Sequence, residues 1–200
     1  GDVLVFNFPY AKDWNKIRIH LSRFYVKRCI GLPGDTLCIR GAFYEINGKR
    51  GYGNLQEQEA IARFKGEYPQ GIFHTIPFDP RIAWNIQNMG PLYIPRKGDK
   101  IHLDSMAYRL YRKMVEYESG LKLREQDGKI YAGDSLTEYY TFQTNWYFMG
   151  GDKMWNSQDS RYIGLIPEEF LIGKAVLILS SKDKDTGEYR WNRFFKRIKR

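Results

Sequence analysis

A lysine set inside an apolar run is the first residue of this 200-residue chain whose surroundings suggest chemistry. It is Lys27, within Phe24-Tyr25-Val26-Lys27-Arg28-Cys29-Ile30, a run that reads as a strand and leads into the tight turn Gly31-Leu32-Pro33-Gly34-Asp35. An ammonium taken out of water is disfavoured, so burial lowers a lysine pKa from ~10.4 toward neutrality, where the free amine accepts protons. The ordinary alternative is a half-buried strand that points its lysine to solvent. A second dense polar stretch, Gly150-Gly151-Asp152-Lys153-Met154-Trp155-Asn156-Ser157-Gln158-Asp159-Ser160-Arg161, lies between two apolar runs. Taken alone it is a solvated hairpin loop.

Strand alternation puts Tyr25, Lys27 and Cys29 on one face and Val26, Arg28 and Ile30 on the other. The Arg28 guanidinium then need not crowd Lys27, and an acidic partner such as Asp152 can hold it away. The three histidines, His20, His74 and His102, are scattered without metal-ligand spacing, and two cysteines make no zinc pattern, so no metal and no cofactor is expected. If Pro33-Gly34 is the centre of a two-residue hairpin, Cys29 and Cys38 are directly opposed and within reach of a disulfide. Two cysteines do not fix the redox compartment.

The elements that must position these residues are mostly strands. Nineteen glycines, eight prolines and many short β-rich runs indicate a mainly β protein, and 15 Tyr, 12 Phe and 5 Trp exclude a disordered chain. Strands are expected over Val3–Phe8, Phe24–Ile30, Thr36–Arg40, Phe43–Ile46 and Asn145–Met149, with the last strands in Tyr162–Ser180. Asn47-Gly48 and Asp127-Gly128 mark hairpins. Residues 49–89 are hydrophilic and irregular, with a short helix over Glu57–Lys65. Ser105 caps a predicted helix through Ser119, with Met106, Leu110, Met114 and Val115 inward and Gly120 ending it.

The formal charge is +9, and six of the last eleven residues are basic: Arg190, Arg193, Lys196, Arg197, Lys199 and Arg200. Trp191, Phe194, Phe195 and Ile198 recur between them at helical spacing. This predicts a basic amphipathic helix, either against an anionic membrane surface or docked on its own domain. No nucleic-acid motif accompanies the charge, no run reaches the ~20 apolar residues of a membrane-spanning helix, and no signal peptide is present. The opening Gly1-Asp2-Val3, already strand-like and without Met, suggests a piece of a longer protein.

Three segments in order resemble the motifs of type I signal peptidases, the membrane-bound Ser/Lys proteases of the S26 family. Gly1-Asp2-Val3-Leu4-Val5-Phe6 is similar to the end of one motif, and Tyr25-Val26-Lys27-Arg28-Cys29-Ile30-Gly31-Leu32-Pro33-Gly34-Asp35 to the lysine motif. About 125 residues further on, Gly151-Asp152 with Asn156-Ser157-Gln158-Asp159-Ser160-Arg161, then Ile166-Pro167 and Gly173-Lys174-Ala175, resembles the last. Together they cover about a third of the chain.

The resemblance implies a signal-peptidase-like β core, residues 1–48 and 143–200, with an inserted second β subdomain over 49–142 and a few short helices. It implies membrane anchoring upstream, in the cytoplasmic (inner) membrane with the catalytic domain on the outer, periplasmic side, the piece in hand being itself soluble. By position Lys27 matches the general base and Ser157 the serine that orients it. Asp159 and Arg161 match a structural ion pair, Arg28 and Asp152 two further charged motif positions, and Tyr25 and Val26 are candidate substrate-binding residues. The implied partners are exported preproteins with small-x-small cleavage sites and a lipid surface contacted through Arg190, Trp191, Phe194, Phe195 and Lys196. In such a dyad the lysine must be neutral to take a serine proton, and two to three units of pKa depression correspond to roughly 3–4 kcal/mol.

One departure stands out. The family's nucleophile lies in a Ser-Met-x-Pro motif before the first strand, and none occurs here. Ser105-Met106 is followed by Ala107-Tyr108 and opens a predicted helix; Ser22, Ser157 and Ser160 do not fit the motif either. The chain alone is therefore expected to be inactive. A non-catalytic binding or scaffold relative is the alternative, and the related self-cleaving repressor proteases are a third reading without a visible DNA-binding segment.

Overall fold

The computed structural model describes residues 1–183 and 186–198. In chain order its strands and helices begin with β1 (Val3–Phe8), β2 (His20–Gly31), β3 (Thr36–Arg40), β4 (Phe43–Ile46), β5 (Lys49–Arg50) and α1 (Leu55–Arg63). There follow β6 (Asn88–Tyr93), β7 (Lys100–His102), α2 (Ser105–Ser119), β8 (Leu123–Gln126), β9 (Lys129–Ala132), β10 (Ser135–Leu136) and β11 (Tyr139–Thr141). The last are β12 (Trp146–Gly150), α3 (Ser160–Ile163), β13 (Ile166–Pro167), β14 (Leu171–Lys174), β15 (Leu177–Ile178) and β16 (Lys196–Arg197). The protein is mainly β. None of the described helices is long and apolar enough to cross a membrane.

The principal sheet has the order β13-β12-β2-β1-β14. β2 extends further toward the N-terminus than its hydropathy suggests. A register shift after Asn7 lets Phe8 pair with His20, so the strand continues past Phe24 with residues 21–23 looped out between the two pairings. On its other side β2 meets β12 only from Arg28, opposite Gly150, to Gly31, opposite Phe148. No strand among the described residues pairs with that edge between His20 and Lys27.

A second sheet, β5-β4-β3-β6, joins strands on both sides of residue 48. This corrects the expected hairpin across Pro33-Gly34. The turn carries the chain from one sheet to the other, and β3 pairs with β4 and β6, not β2. Cys38 stands opposite Glu45, and both cysteines are free and buried, so no Cys29–Cys38 disulfide forms. Burial pushes the Cys29 thiol up to about 11.

Alternation along β12 joins the two hydrophobic clusters. Trp146 and Phe148 pack with Leu37, Tyr44, Ile61 and Met114, whereas Met149 packs with Phe6, Phe8, Cys29 and Ile166. The predicted helix over Ser105–Ser119 is present, but Asp104 caps it, accepting from Ala107 N at 2.7 Å. Its buried face is Ala107, Tyr111, Met114 and Val115, a rotation from the expected stripe that leaves Met106 half exposed and Leu110 partly buried. Tyr111 accounts for the shift: its ring is buried while its hydroxyl donates to Tyr93 O at 2.9 Å. Near the end of α2, Glu118 accepts from Trp146 Nε1, the Tyr140 hydroxyl and the backbone N–H groups of Gln143 and Thr144, tying the helix to β12.

The tail is not the amphipathic helix that its spacing predicts. Trp191–Arg193 form one 3-10 turn, Phe195 takes a left-handed backbone (φ 52°), and Lys196–Arg197 pair with β15. The left-handed residue interrupts any helix, and the aromatic rings meet each other instead, Trp191 stacking on Phe194 at 4.9 Å. Lys199 and Arg200 lie outside the described residues.

Candidate active site

β2 delivers Lys27 to the edge of the principal sheet at the point where β12 leaves it. β12 ends at Gly150, and the 3-10 turn Met154–Asn156 brings Ser157 back over β2. Lys27 Nζ donates to Ser157 Oγ at 2.7 Å and lies 5.5 Å from the centroid of the Tyr25 ring. Burial is the main force lowering the Lys27 pKa; Asp159 opposes it, Arg161 reinforces it, and Asp152 also opposes it. The result is an amine biased toward its neutral, basic form.

The turn that carries Ser157 is held from beneath by a fully buried ion pair. Asp159 and Arg161 meet through two bonds, Nε to Oδ1 at 2.9 Å and Nη2 to Oδ2 at 2.8 Å, with both side chains at 0% exposure. Asp159 Oδ2 also accepts from Gly151 N at 2.8 Å, and Arg161 Nη2 donates to Met154 O at 3.0 Å. One pair therefore fixes both the entry and the middle of the loop. Asp159 also caps α3, accepting from Arg161 N.

Two motif positions give support that the resemblance left without a role. The buried Ser160 hydroxyl accepts from Met149 N at 2.9 Å, tying α3 to β12. Gly151 is the other. A Cβ at this position would lie 1.8 Å from Ser157 Oγ and 2.4 Å from Ser157 Cβ. The doubled glycine and its place in the Gly-Asp of the last motif are its signals. Gly151→Ala therefore displaces Ser157 from Lys27, and under the mechanism proposed below a misplacement of this order costs the intact protein about 10²-fold in turnover with the circular-dichroism spectrum retained. Unchanged turnover would remove Gly151 from the argument.

Arg28 and Asp152 form a bidentate pair, with both bonds at 2.8 Å, and Arg28 Nη1 also donates to Gly1 O at 2.7 Å. The bond to Asp152 raises the Arg28 pKa. Asn54, the cap of α1, donates to Asp152 O at 3.1 Å, linking the pair to the polar segment after residue 48. Tyr25 lies on the Lys27 face, its ring against Phe6 and Phe8 and its hydroxyl donating to Gln158 Oε1. Val26 alternates to the opposite face and is 55% exposed, so its backbone rather than its side chain adjoins Lys27. Ser22, Ser105 and Ser160 make other contacts, to His20, Glu125 and Met149 respectively. No cluster of His, Cys, Asp and Glu among the described residues has the form of a metal site.

Comparison with known proteins gives this arrangement its class. Residues 1–180 match the family described as signal peptidase, peptidase S26, and the chain belongs to that family. Among curated proteins it is 30% identical to signal peptidase I of Buchnera aphidicola subsp. Schizaphis graminum, over 99% of this chain and 59% of that protein. It is 29% identical to signal peptidase I of Haemophilus influenzae, over 88% of this chain and 45% of that protein. The chain thus spans about half to three-fifths of the length of these relatives. A crystal structure of a signal peptidase I from Enterococcus faecalis is similar over 87% of this chain and 92% of its own, with 19% identity and a TM-score of 0.41.

Proposed function

We propose that this chain is the catalytic part of a membrane-anchored serine endopeptidase that removes signal peptides from exported preproteins, with Lys27 as general base. The observation that carries the reading is the contact of a half-buried lysine of lowered pKa with Ser157 Oγ at 2.7 Å. The neutral amine takes the proton of the nucleophilic serine as its oxygen attacks the scissile carbonyl, then passes that proton to the departing amine. Ser157 accepts one N–H of Lys27 and so orients its lone pair. The chain holds no Ser-Met-x-Pro, so this reading requires a serine from outside these 200 residues.

The substrate adds to the open edge of β2 as an extended strand, through backbone bonds between His20 and Lys27, with small residues before the cut. Residues 1–48 and 143–200 carry the catalytic surface, and 49–142 are the inserted elaboration. The exposed tail rings of Trp191 and Phe195, beside Arg190, Phe194 and Lys196, form a contact for an anionic lipid surface on the outer face of the cytoplasmic membrane.

The test is a cleavage assay on a preprotein with a small-x-small site. We expect a longer form carrying an upstream Ser-Met-x-Pro to cleave it and the 200-residue chain alone to give no product. Equal cleavage by the chain alone would put the nucleophile within it, and no cleavage by either form would favour a non-catalytic scaffold.

A further inference from the structure

Ser157 borders a surface recess of about 450 Å³. Trp14, Phe78, Trp155 and Tyr162 line it together with Ile72. Three of the four aromatic residues are held by further contacts. Trp155 is stacked on Tyr68 at 5.5 Å and meets Phe64 edge-on at 4.8 Å. Trp14 is stacked on Tyr10 at 5.1 Å, and its carbonyl accepts from Lys113 Nζ at 2.7 Å. The Tyr162 hydroxyl donates to Ile72 O at 2.7 Å, so its polar end is satisfied and only ring faces the opening.

Phe78 is the odd member. It holds a left-handed backbone, φ 59°, which a bulky side chain seldom adopts, and its ring is 57% exposed. Neither conformational preference nor core burial accounts for a phenylalanine there. A strained residue displaying an apolar ring beside a reactive group is the pattern of a binding site.

We propose that this recess takes one large apolar side chain, aromatic by preference, of the extended peptide lying along β2. It deepens the reading of Lys27 and Ser157 as catalytic and rests on it for the position of the peptide. Alternate side chains of a strand project to one face, so a peptide on the open edge sends every second residue toward Ser157 and the recess that it borders. The resemblance to the family implies small residues just before the cut, so the large residue falls elsewhere along the peptide. Specificity then combines two small residues with one bulky anchor. Trp14 and Phe78 are specificity residues; they do not touch the reacting atoms.

The test reads binding. Short Ala/Ser peptides carrying a single Phe at each position in turn are titrated into the 200-residue chain, with the tryptophan fluorescence followed. At one position we expect about tenfold tighter binding than the peptide without Phe, the gain for burying one such ring. The gain disappears in Trp14→Ala and in Phe78→Asn, the latter keeping a residue that tolerates the left-handed backbone. It persists in Leu136→Ser, an exposed site on β10 outside the recess. A Phe preference at no position, or a gain that survives both recess variants, overturns the proposal. Because the readout is affinity, a failure of Lys27 to act as base leaves this result standing, and an absent Phe preference leaves the role of Lys27 untouched.

Discussion

On the proposed mechanism, Lys27→Ala lowers the turnover of the intact protein by about 10²–10⁴-fold, the loss expected when a general base is removed. The fold survives, because the amine gives the core only one hydrogen bond, to Ser157 at 2.7 Å. Lys27→Arg is equally inactive, since a guanidinium stays protonated and cannot take the serine proton. The pH profile carries the sharper test. Burial lowers the pKa of Lys27 below the ordinary 10.5, so the wild-type rate rises with pH through that lowered midpoint and levels off above it. The stability linkage has the matching sign. The folded state binds this proton less tightly than the unfolded one, so protonated Lys27 penalises folding below its folded pKa. The penalty fades as pH rises from there to the unfolded value, and Lys27→Ala removes that slope. Full activity in Lys27→Ala, or a wild-type midpoint at the ordinary lysine value, would sink the mechanism.

Asp159→Asn costs about 3–5 kcal/mol of folding stability, the range for breaking a buried pair from one side. The substitution leaves the Arg161 guanidinium charged at 0% exposure, facing a neutral amide oxygen and the Met154 carbonyl in place of a carboxylate. Arg161 Nη1 already lacks a hydrogen-bond partner among the described residues, so the site has no reserve. Gly151 N loses its charged acceptor at the same time, which loosens the turn under Ser157. Breaking the Arg28–Asp152 pair, with Asp152 half exposed, costs under about 1 kcal/mol by contrast. Urea unfolding monitored by circular dichroism measures both. A loss below about 1 kcal/mol for Asp159→Asn would show that the pair is not what holds the loop.

The parts of this fold that the sequence discloses are those with local causes. β3 and β4 match their expected limits residue for residue, because alternation and the Asn47-Gly48 turn fix them nearby. The length of β2 was not legible. His20 pairs with Phe8 across a register shift that leaves residues 21–23 between the two pairings, which no side-chain pattern records. The Cys29–Cys38 bridge failed for the same reason: a Pro-Gly turn looks alike whether it closes a hairpin or hands the chain to another sheet. In the tail, helical spacing of Trp191, Phe194, Phe195 and Ile198 competed with strand pairing by Lys196 and Arg197, and pairing won. At the site, motif resemblance pointed to Lys27 and Ser157, and alternation suggested Arg28 with Asp152. The roles of Gly151, Ser160, Asn54 and the aromatic recess were not legible because they depend on close approach between distant segments.

That distance has a consequence for when the proposed Lys27–Ser157 pair forms. Lys27 and Ser157 are 130 residues apart in sequence, whereas β1 and β2 form a local antiparallel pair. Joining β12 to β2 closes a very long loop, a step whose entropic cost delays non-local sheets relative to local hairpins. Until it closes, Lys27 sits on a solvated hairpin as an ordinary charged lysine. On the proposed mechanism, desolvation of the amine and its contact with Ser157 arrive together, with the completed sheet. The lowered pKa of Lys27 is then a property of the completed sheet and not of the β1–β2 hairpin alone.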